Sequence, residues 1–183
     1  MTSITRDPLL AIAKGVLYFL MAVMALGVVA CLVAAPCLWI FQDLVSAEVA
    51  KEAPGFPMSE ALIALSLLLL LVAAMLGMLF RIFQLLKRIV DTVGEGDPFV
   101  PENASRLTRM AWLTLAVQVV TFPMGGIGMY IYNITEPIRD ADDHFTIDSG
   151  LDANGLLLML ILFILARVFR KGSEMRADLE GTV

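Results

Sequence analysis

Residues 61–80 have the sequence ALIALSLLLLLVAAMLGMLF, a run of twenty residues without a charge and with one polar side chain, Ser66. An α-helix needs about 20 consecutive apolar residues to cross the hydrocarbon core of a bilayer. A helix on the surface of a soluble domain would instead place its apolar residues every three or four positions. This segment therefore predicts a membrane-spanning helix.

Two other segments of the chain have the same character. Residues 15–41 contain no charge, and residues 111–133 are also uncharged but carry the polar side chains Thr114, Gln118 and Thr121. Both segments are long enough to cross a bilayer. We therefore expect three membrane-spanning helices before the C-terminal region.

A fourth apolar segment, residues 155–169, is shorter and contains Arg167 near its end. An interfacial or buried helix is the alternative for a run of this length. Residues 156–165 are apolar on every face, unlike a helix that lies at the interface. Arg167, Arg170 and Lys171 can reach lipid headgroups and so lengthen the span. We predict a fourth crossing.

The composition agrees with a membrane protein. Of 183 residues, 59% are hydrophobic and 17% are charged, whereas soluble domains are about half apolar and about a quarter charged. One membrane domain accounts for this length, and nothing is left for a second folded unit. The expected fold is an all-α, integral membrane four-helix bundle over residues 1–183.

The charges predict the orientation of this bundle, because cytoplasmic segments are enriched in lysine and arginine. With both termini inside, the inner side holds eleven of the thirteen basic residues: Arg6, Lys14, Arg81, Lys87, Arg88, Arg106, Arg109, Arg167, Arg170, Lys171 and Arg176. The outer loops, 42–60 and 134–154, hold only Lys51 and Arg139 against ten acidic residues, a net charge of −8. The inner side has a net charge of +3. The sequence predicts a multi-pass protein of the cell inner membrane with both termini cytoplasmic.

The inner loop, residues 81–110, is predicted to be helical at both ends. Apolar residues at helical spacing continue the second helix past the membrane: Ile82, Leu85, Leu86, Ile89 and Val93. Gly94, Gly96 and Pro98 then predict a turn, and the third helix is expected to start near residues 101–105. Phe99 is apolar in this polar loop, so it either packs back on the bundle or forms a docking edge for a partner.

Two further features of the inner side have more than one interpretation. Arg106 and Arg109 lie one turn apart on one helix face, where they either anchor the helix at the interface or bind lipid phosphates. In the tail, residues 170–183, the apolar side chains of Met175 and Leu179 are one turn apart and are predicted to seat the tail against the inner loop.

Two short patterns resemble a known family. One is Gly96-Asp97-Pro98-Phe99 followed by Asn103 and Leu107; the other is Phe169-Arg170-Lys171-Gly172 followed by Leu179-Glu180 and Thr182-Val183. They resemble the bacterial YoaS-like four-span membrane proteins, a domain of unknown function. The resemblance covers nearly the whole chain, although the first span contributes no motif. Members are often encoded beside a small helix-turn-helix regulator, so the resemblance implies a cytosolic transcription regulator as partner and supplies no catalytic residues.

The sequence gives little support to an enzyme. Its one histidine, His144, lies in an acidic outer loop with Asp140, Asp142 and Asp143, which either bind a divalent cation weakly or are simply solvated. A metal site needs three or four converging ligands, and neither a phosphate-binding loop nor a nucleophile elbow is present. We predict no catalysis, no cofactor and no direct binding of nucleic acid.

A subunit of a small-solute or ion transporter or channel is the alternative function. Such proteins usually carry ionisable groups at mid-membrane, and the four spans lack them there. The polar Ser66, Gln118 and Thr121 are expected to bond between helices. Pro123 with its neighbouring glycines marks either a packing kink or a broken helix that lines a substrate site.

A regulatory or scaffold protein needs only a stable bundle and a recognisable inner face. Its predicted docking residues are Phe99, Arg106, Arg109 and Gly172. The predicted partners are the lipid bilayer and a cytosolic regulator, and homo-oligomerisation is left open.

Overall fold

The computed structural model describes residues 8–136 and 152–180, and these residues form five helices and no strand. The helices are α1 (Pro8–Ile40), α2 (Gln42–Glu52), α3 (Met58–Gly94), α4 (Pro101–Ile134) and α5 (Ala153–Glu180). All except α2 are long and apolar enough to cross a membrane. The prediction of an all-helical protein with four long apolar helices is confirmed.

The described residues group into two compact units. The first unit contains residues 8–25, 77–118 and 152–180, and the second contains residues 26–76 and 119–136. Helices α1, α3 and α4 each contribute a segment to both units, whereas α5 belongs to the first unit alone.

The first unit has a hydrophobic core supplied by α3, α4 and α5. Its buried members are Ile89, Leu107, Met110, Ala111, Leu162 and Ala166. Ala111 has no exposed surface, so the helices approach closely where this small side chain lies. The extension of α3 beyond residue 80 is confirmed, and it places Ile89 in this core.

The second unit is packed by small residues. Among its buried side chains are Leu62, Ala64 and Ala73. Gly27 allows α1 to approach α3, since a Cβ atom there would lie 2.9 Å from Leu76 Cδ1. Many large apolar side chains of this unit are exposed: Leu26, Val29, Leu32, Val33, Trp39, Ile40, Ile63, Leu67 and Leu70. An apolar surface of this extent is typical of an environment of lipid.

Helix α2 lies within residues 42–60, for which the sequence predicted an outer loop and no helix was identified. No proline or glycine occurs between Gln42 and Ala53, so the chain returns to a helix after a bend at Phe41. Pro54 and Gly55 end it, and Gly55 has a φ of 95°, a conformation that favours glycine. The polarity of this segment had concealed its helical character.

Helix α4 begins at Pro101, within the predicted range, and runs without interruption through Pro123 to Ile134. The backbone of α4 is therefore not broken at Pro123, and the alternative interpretation of a broken third helix is wrong. Helix α5 continues through the predicted tail as far as Glu180.

Candidate interaction surface

The connection between α3 and α4 is a closed turn. The Gly96 amide donates to the Val93 carbonyl at 3.1 Å, and the Asp97 amide donates to the Thr92 carbonyl at 3.0 Å. Together with a φ of 84° at Gly96, this pair of bonds is a Schellman motif. Pro98 cannot continue the helix, and Pro101 starts α4 at the first helical position, where a missing N–H costs nothing.

Asn103 holds this turn from inside. Its side chain is completely buried. Its amide nitrogen donates to Thr92 Oγ1 at 2.8 Å and to the Pro98 carbonyl at 2.9 Å. Its amide oxygen accepts from Arg106 Nη1 at 2.7 Å, and Arg106 also donates to the Arg88 carbonyl at 3.3 Å. Because every polar group of this buried amide has a partner, the turn is fixed in one conformation.

The C-terminal half of α5 packs against the same turn. The rings of Phe99 and Phe169 have centroids 5.4 Å apart. Gly172 lies directly beneath Phe99, since a Cβ atom at Gly172 would come within 2.7 Å of Phe99 Cδ1. Arg176 forms an ion pair with Asp97. We call these five residues the clasp.

The tail therefore contacts the turn through residues other than those predicted. Met175 is 53% exposed and Leu179 is 73% exposed, so these two side chains do not bury themselves against the inner loop. The prediction that they seat the tail is wrong; Gly172 and Arg176, on the neighbouring turns of α5, make that contact instead.

The four predicted docking residues do not form one surface in the structure. Phe99 and Gly172 contact each other within the clasp. Arg106 turns toward Asn103 and belongs to the hydrogen-bond network. Arg109 lines a different groove, between α3 and α4. The packing of Phe99 on α5 agrees with the first of its two interpretations, while 41% of its surface stays exposed.

Helix α1 is tied to α3 by a charge cluster that the sequence analysis missed. Asp91 forms ion pairs of 2.8 Å with both Lys14 and Lys87, and the Lys87 ammonium lies 5.1 Å from the centroid of the Tyr18 ring. Asp91 lies beyond the apolar segment 61–80. The Lys14 and Lys87 ammonium groups hold the pKa of its carboxyl below the usual value.

Helix α5 begins beside the middle of α4. Asp152 caps α5, because its carboxylate accepts from the amides of Asn154 at 3.0 Å and Gly155 at 3.2 Å. The side-chain amide of Gln118 makes two hydrogen bonds with the Asp152 backbone. Its Nε2 donates to the Asp152 carbonyl at 3.2 Å, and its Oε1 accepts from the Asp152 amide at 3.4 Å. From Gln118, α4 continues for a further sixteen residues to Ile134, which is about 24 Å of helix.

The polar side chains considered for a transport path all have partners. Gln118 is buried against Asp152, Ser66 Oγ accepts from the Trp39 indole at 3.0 Å, and Thr121 also has an interaction partner. Within residues 8–136 and 152–180, no three His, Cys, Asp or Glu side chains are placed to hold a metal ion. His144 and the aspartates around it lie outside the described residues.

The geometry defines the class of this protein: an all-helical chain with four helices of membrane-spanning length and a clasped turn between two of them. The family described as "Protein of unknown function (DUF2975)" matches residues 44–183. The chain therefore belongs to this family. The narrower YoaS-like assignment stays a prediction. No curated protein and no solved structure matches the chain.

Proposed function

We propose that this protein is a multi-pass protein of the bacterial inner membrane, with both termini in the cytoplasm, that docks a cytosolic regulator on its clasp. The observation that carries the proposal is a set of exposed apolar side chains that begins at the clasp and continues along α5, beyond its basic residues. Lipid cannot cover such a surface if those basic residues lie at the headgroups.

The exposed side chains form one continuous edge. Gly172, Met175 and Leu179 are spaced by three and four residues, so they share one face of α5. Phe99 lies on Gly172 at the start of this face and extends it toward the turn. We call Phe99, Met175 and Leu179 the docking edge.

The depth of this edge follows from the helix geometry. Arg167, Arg170 and Lys171 mark the headgroup level on α5 if their charges follow the positive-inside rule. At 1.5 Å per residue, Met175 lies about 6 Å beyond Lys171 and Leu179 about 12 Å beyond it. The docking edge is then in the aqueous phase, where exposed apolar side chains at helical spacing suit the apolar face of a partner helix.

The clasp also keeps the edge rigid before a partner arrives. The buried amide of Asn103 fixes the turn, and the ion pair of Arg176 with Asp97 joins α5 to it. A surface that is already ordered loses less conformational entropy on binding. This rigidity supports a docking function, and the implied partner is the small helix-turn-helix regulator expected from the family resemblance.

Photo-crosslinking in living cells tests the proposal. A benzophenone amino acid is placed at Met175 in the full-length chain, and at Tyr130, at the far end of α4, as the matched control. We expect one discrete adduct with a cytosolic DNA-binding protein from position 175 and none from position 130. Leu179→Asp should abolish that adduct while membrane levels of the chain stay normal.

Two outcomes would contradict the proposal. One is the absence of any protein adduct from positions 99, 175 and 179. The other is the same set of adducts from positions 175 and 130, because crosslinking would then report proximity in the membrane and not docking.

A further inference from the structure

Three arginines border one groove between α3 and α4. Arg81, Arg88 and Arg109 line it together with Gln84, Leu85, Trp112 and Leu113, and its volume is about 470 Å³. The arginines therefore share this groove with apolar and aromatic walls.

The residues that the structure describes do not balance the positive charge of this groove. Among the described residues, no carboxylate forms an ion pair with any of the three arginines. Arg81 donates to the neutral Gln84 side chain at 2.8 Å. Asp91, a few residues further along α3, is already engaged by two lysines. A groove lined by three cations attracts an anionic ligand.

The helices at the level of this groove present apolar surfaces. Lys87 lies over Tyr18, which places α1 against this part of α3, and Val16 and Phe19 of α1 are exposed. On the other side, the rings of Trp112 and Phe163 are 5.7 Å apart. The α5 residues near that pair include the exposed Ile161, Ile164 and Leu165. The arginines thus lie where their neighbours are suited to lipid.

The residue types in the groove match a lipid headgroup. The arginine guanidinium bonds phosphate oxygens with two parallel N–H groups. Trp112 is 60% exposed, and tryptophan concentrates at the boundary between water and hydrocarbon. Basic pockets between membrane helices on the cytoplasmic side bind anionic lipid headgroups.

We propose that Arg81, Arg88 and Arg109 bind the phosphate of an anionic membrane phospholipid, with its acyl chains along Leu113 and Trp112. The apolar walls favour a lipid over free phosphate, which would leave them in contact with water. The inference requires membrane insertion but no cytosolic partner, so it and the docking proposal can fail separately.

Quenching of Trp112 fluorescence by brominated lipids tests this site. The full-length protein carries Trp39→Phe, so that Trp112 is its only tryptophan, and is reconstituted in phosphatidylcholine vesicles. Brominated phosphatidylglycerol or brominated phosphatidylcholine is then added in increasing proportion. We expect the anionic lipid to be preferred at least fivefold, because each arginine near the headgroups favours it about fivefold.

Two double variants, which remove the same amount of charge from different grooves, show which groove causes the preference for anionic lipid. Arg88→Gln with Arg109→Gln removes two of the three arginines and should lower the preference at least fivefold. Arg167→Gln with Arg170→Gln removes the same charge from the groove between α4 and α5, where Glu174 supplies a carboxylate, and should leave the preference intact.

Three results would overturn the proposal. The first is equal quenching by the two lipids. The second is an equal loss of preference in both double variants, which would show general surface attraction. The third is displacement of the lipid by millimolar inorganic phosphate, which would make the free oxyanion the ligand.

Discussion

The two units hold α3 and α4 together by different means. In the first unit, the buried amide of Asn103 makes three side-chain hydrogen bonds at the end of the helix pair. In the second unit, the exposed hydroxyl of Tyr130 donates to Glu60 at 2.6 Å. A buried polar group without partners is costly, whereas an exposed one can bond to water. The first unit is therefore specified by its polar contacts, and the second by packing of small residues.

This difference predicts where substitutions matter. Polar groups in the first unit should be sensitive, and those in the second should be tolerant. Each of the following changes tests the contrast, from the largest expected effect to the smallest.

Asn103→Ala should have the largest effect. It removes three hydrogen bonds and leaves the Pro98 carbonyl and Thr92 hydroxyl without their donor, at a cost of about 2–4 kcal/mol. The measurement is the free energy of unfolding in detergent micelles. Asn133→Ala, at the exposed far end of the same helix, should cost less than about 0.5 kcal/mol. Equal losses in the two variants would remove the distinction between the units.

Gly155→Ala should be the next most damaging change. A Cβ atom there would lie 1.6 Å from Gln118 Nε2, so the amide must leave the Asp152 backbone. We expect a loss of about 1–3 kcal/mol. Gly77→Ala is the control, because a Cβ atom there meets nothing within 4 Å and alanine favours a helix. If the Gly155→Ala variant has the same unfolding temperature as the wild type, α5 does not begin beside Gln118.

Gly172→Ala tests the clasp through coupling with Phe99. Alone, it should destabilise the protein by about 1 kcal/mol, because the Phe99 ring must move away. With Phe99→Ala present, the same change should be neutral or slightly stabilising. A double-mutant cycle measures this coupling. Additive effects would mean that Phe99 and Gly172 are not in contact.

Arg176→Gln should have the smallest effect. Its ion pair with Asp97 is partly exposed, and such pairs contribute about 0–1 kcal/mol. The difference in stability between the variant and the wild type should disappear in 1 M salt. Salt screens the ion pair, so the wild type also loses most of its attraction. A salt-independent loss would assign Arg176 a packing role in place of an electrostatic one.

The sequence predicted the elements of this fold well, because their causes are local. The stripe of apolar residues beyond Phe80 predicted the long α3, and Pro101 marked the start of α4. Helix α2 was missed, because a polar segment between two apolar runs resembles a loop unless its lack of proline and glycine is weighed.

Contacts between distant residues could not be predicted in the same way. The bond of Gln118 with Asp152 joins residues 34 positions apart, and nothing local specifies it. Helical periodicity placed Arg106 and Arg109 on one face, yet Arg106 bonds Asn103 whereas Arg109 lines the groove between α3 and α4. Asn103 was singled out as part of a motif, but its burial depends on the turn closing around it.

The central claim is that the docking edge lies in the cytoplasm, on the opposite side of the membrane from α2. Single cysteines at Ala47→Cys in α2 and Met175→Cys in α5, in a chain with Cys31→Ala and Cys37→Ala, test it in intact cells with a membrane-impermeant maleimide. We expect Ala47→Cys to label in intact cells and Met175→Cys to label only after permeabilisation. Labelling of Met175→Cys in intact cells, at the rate of Ala47→Cys, would contradict the account.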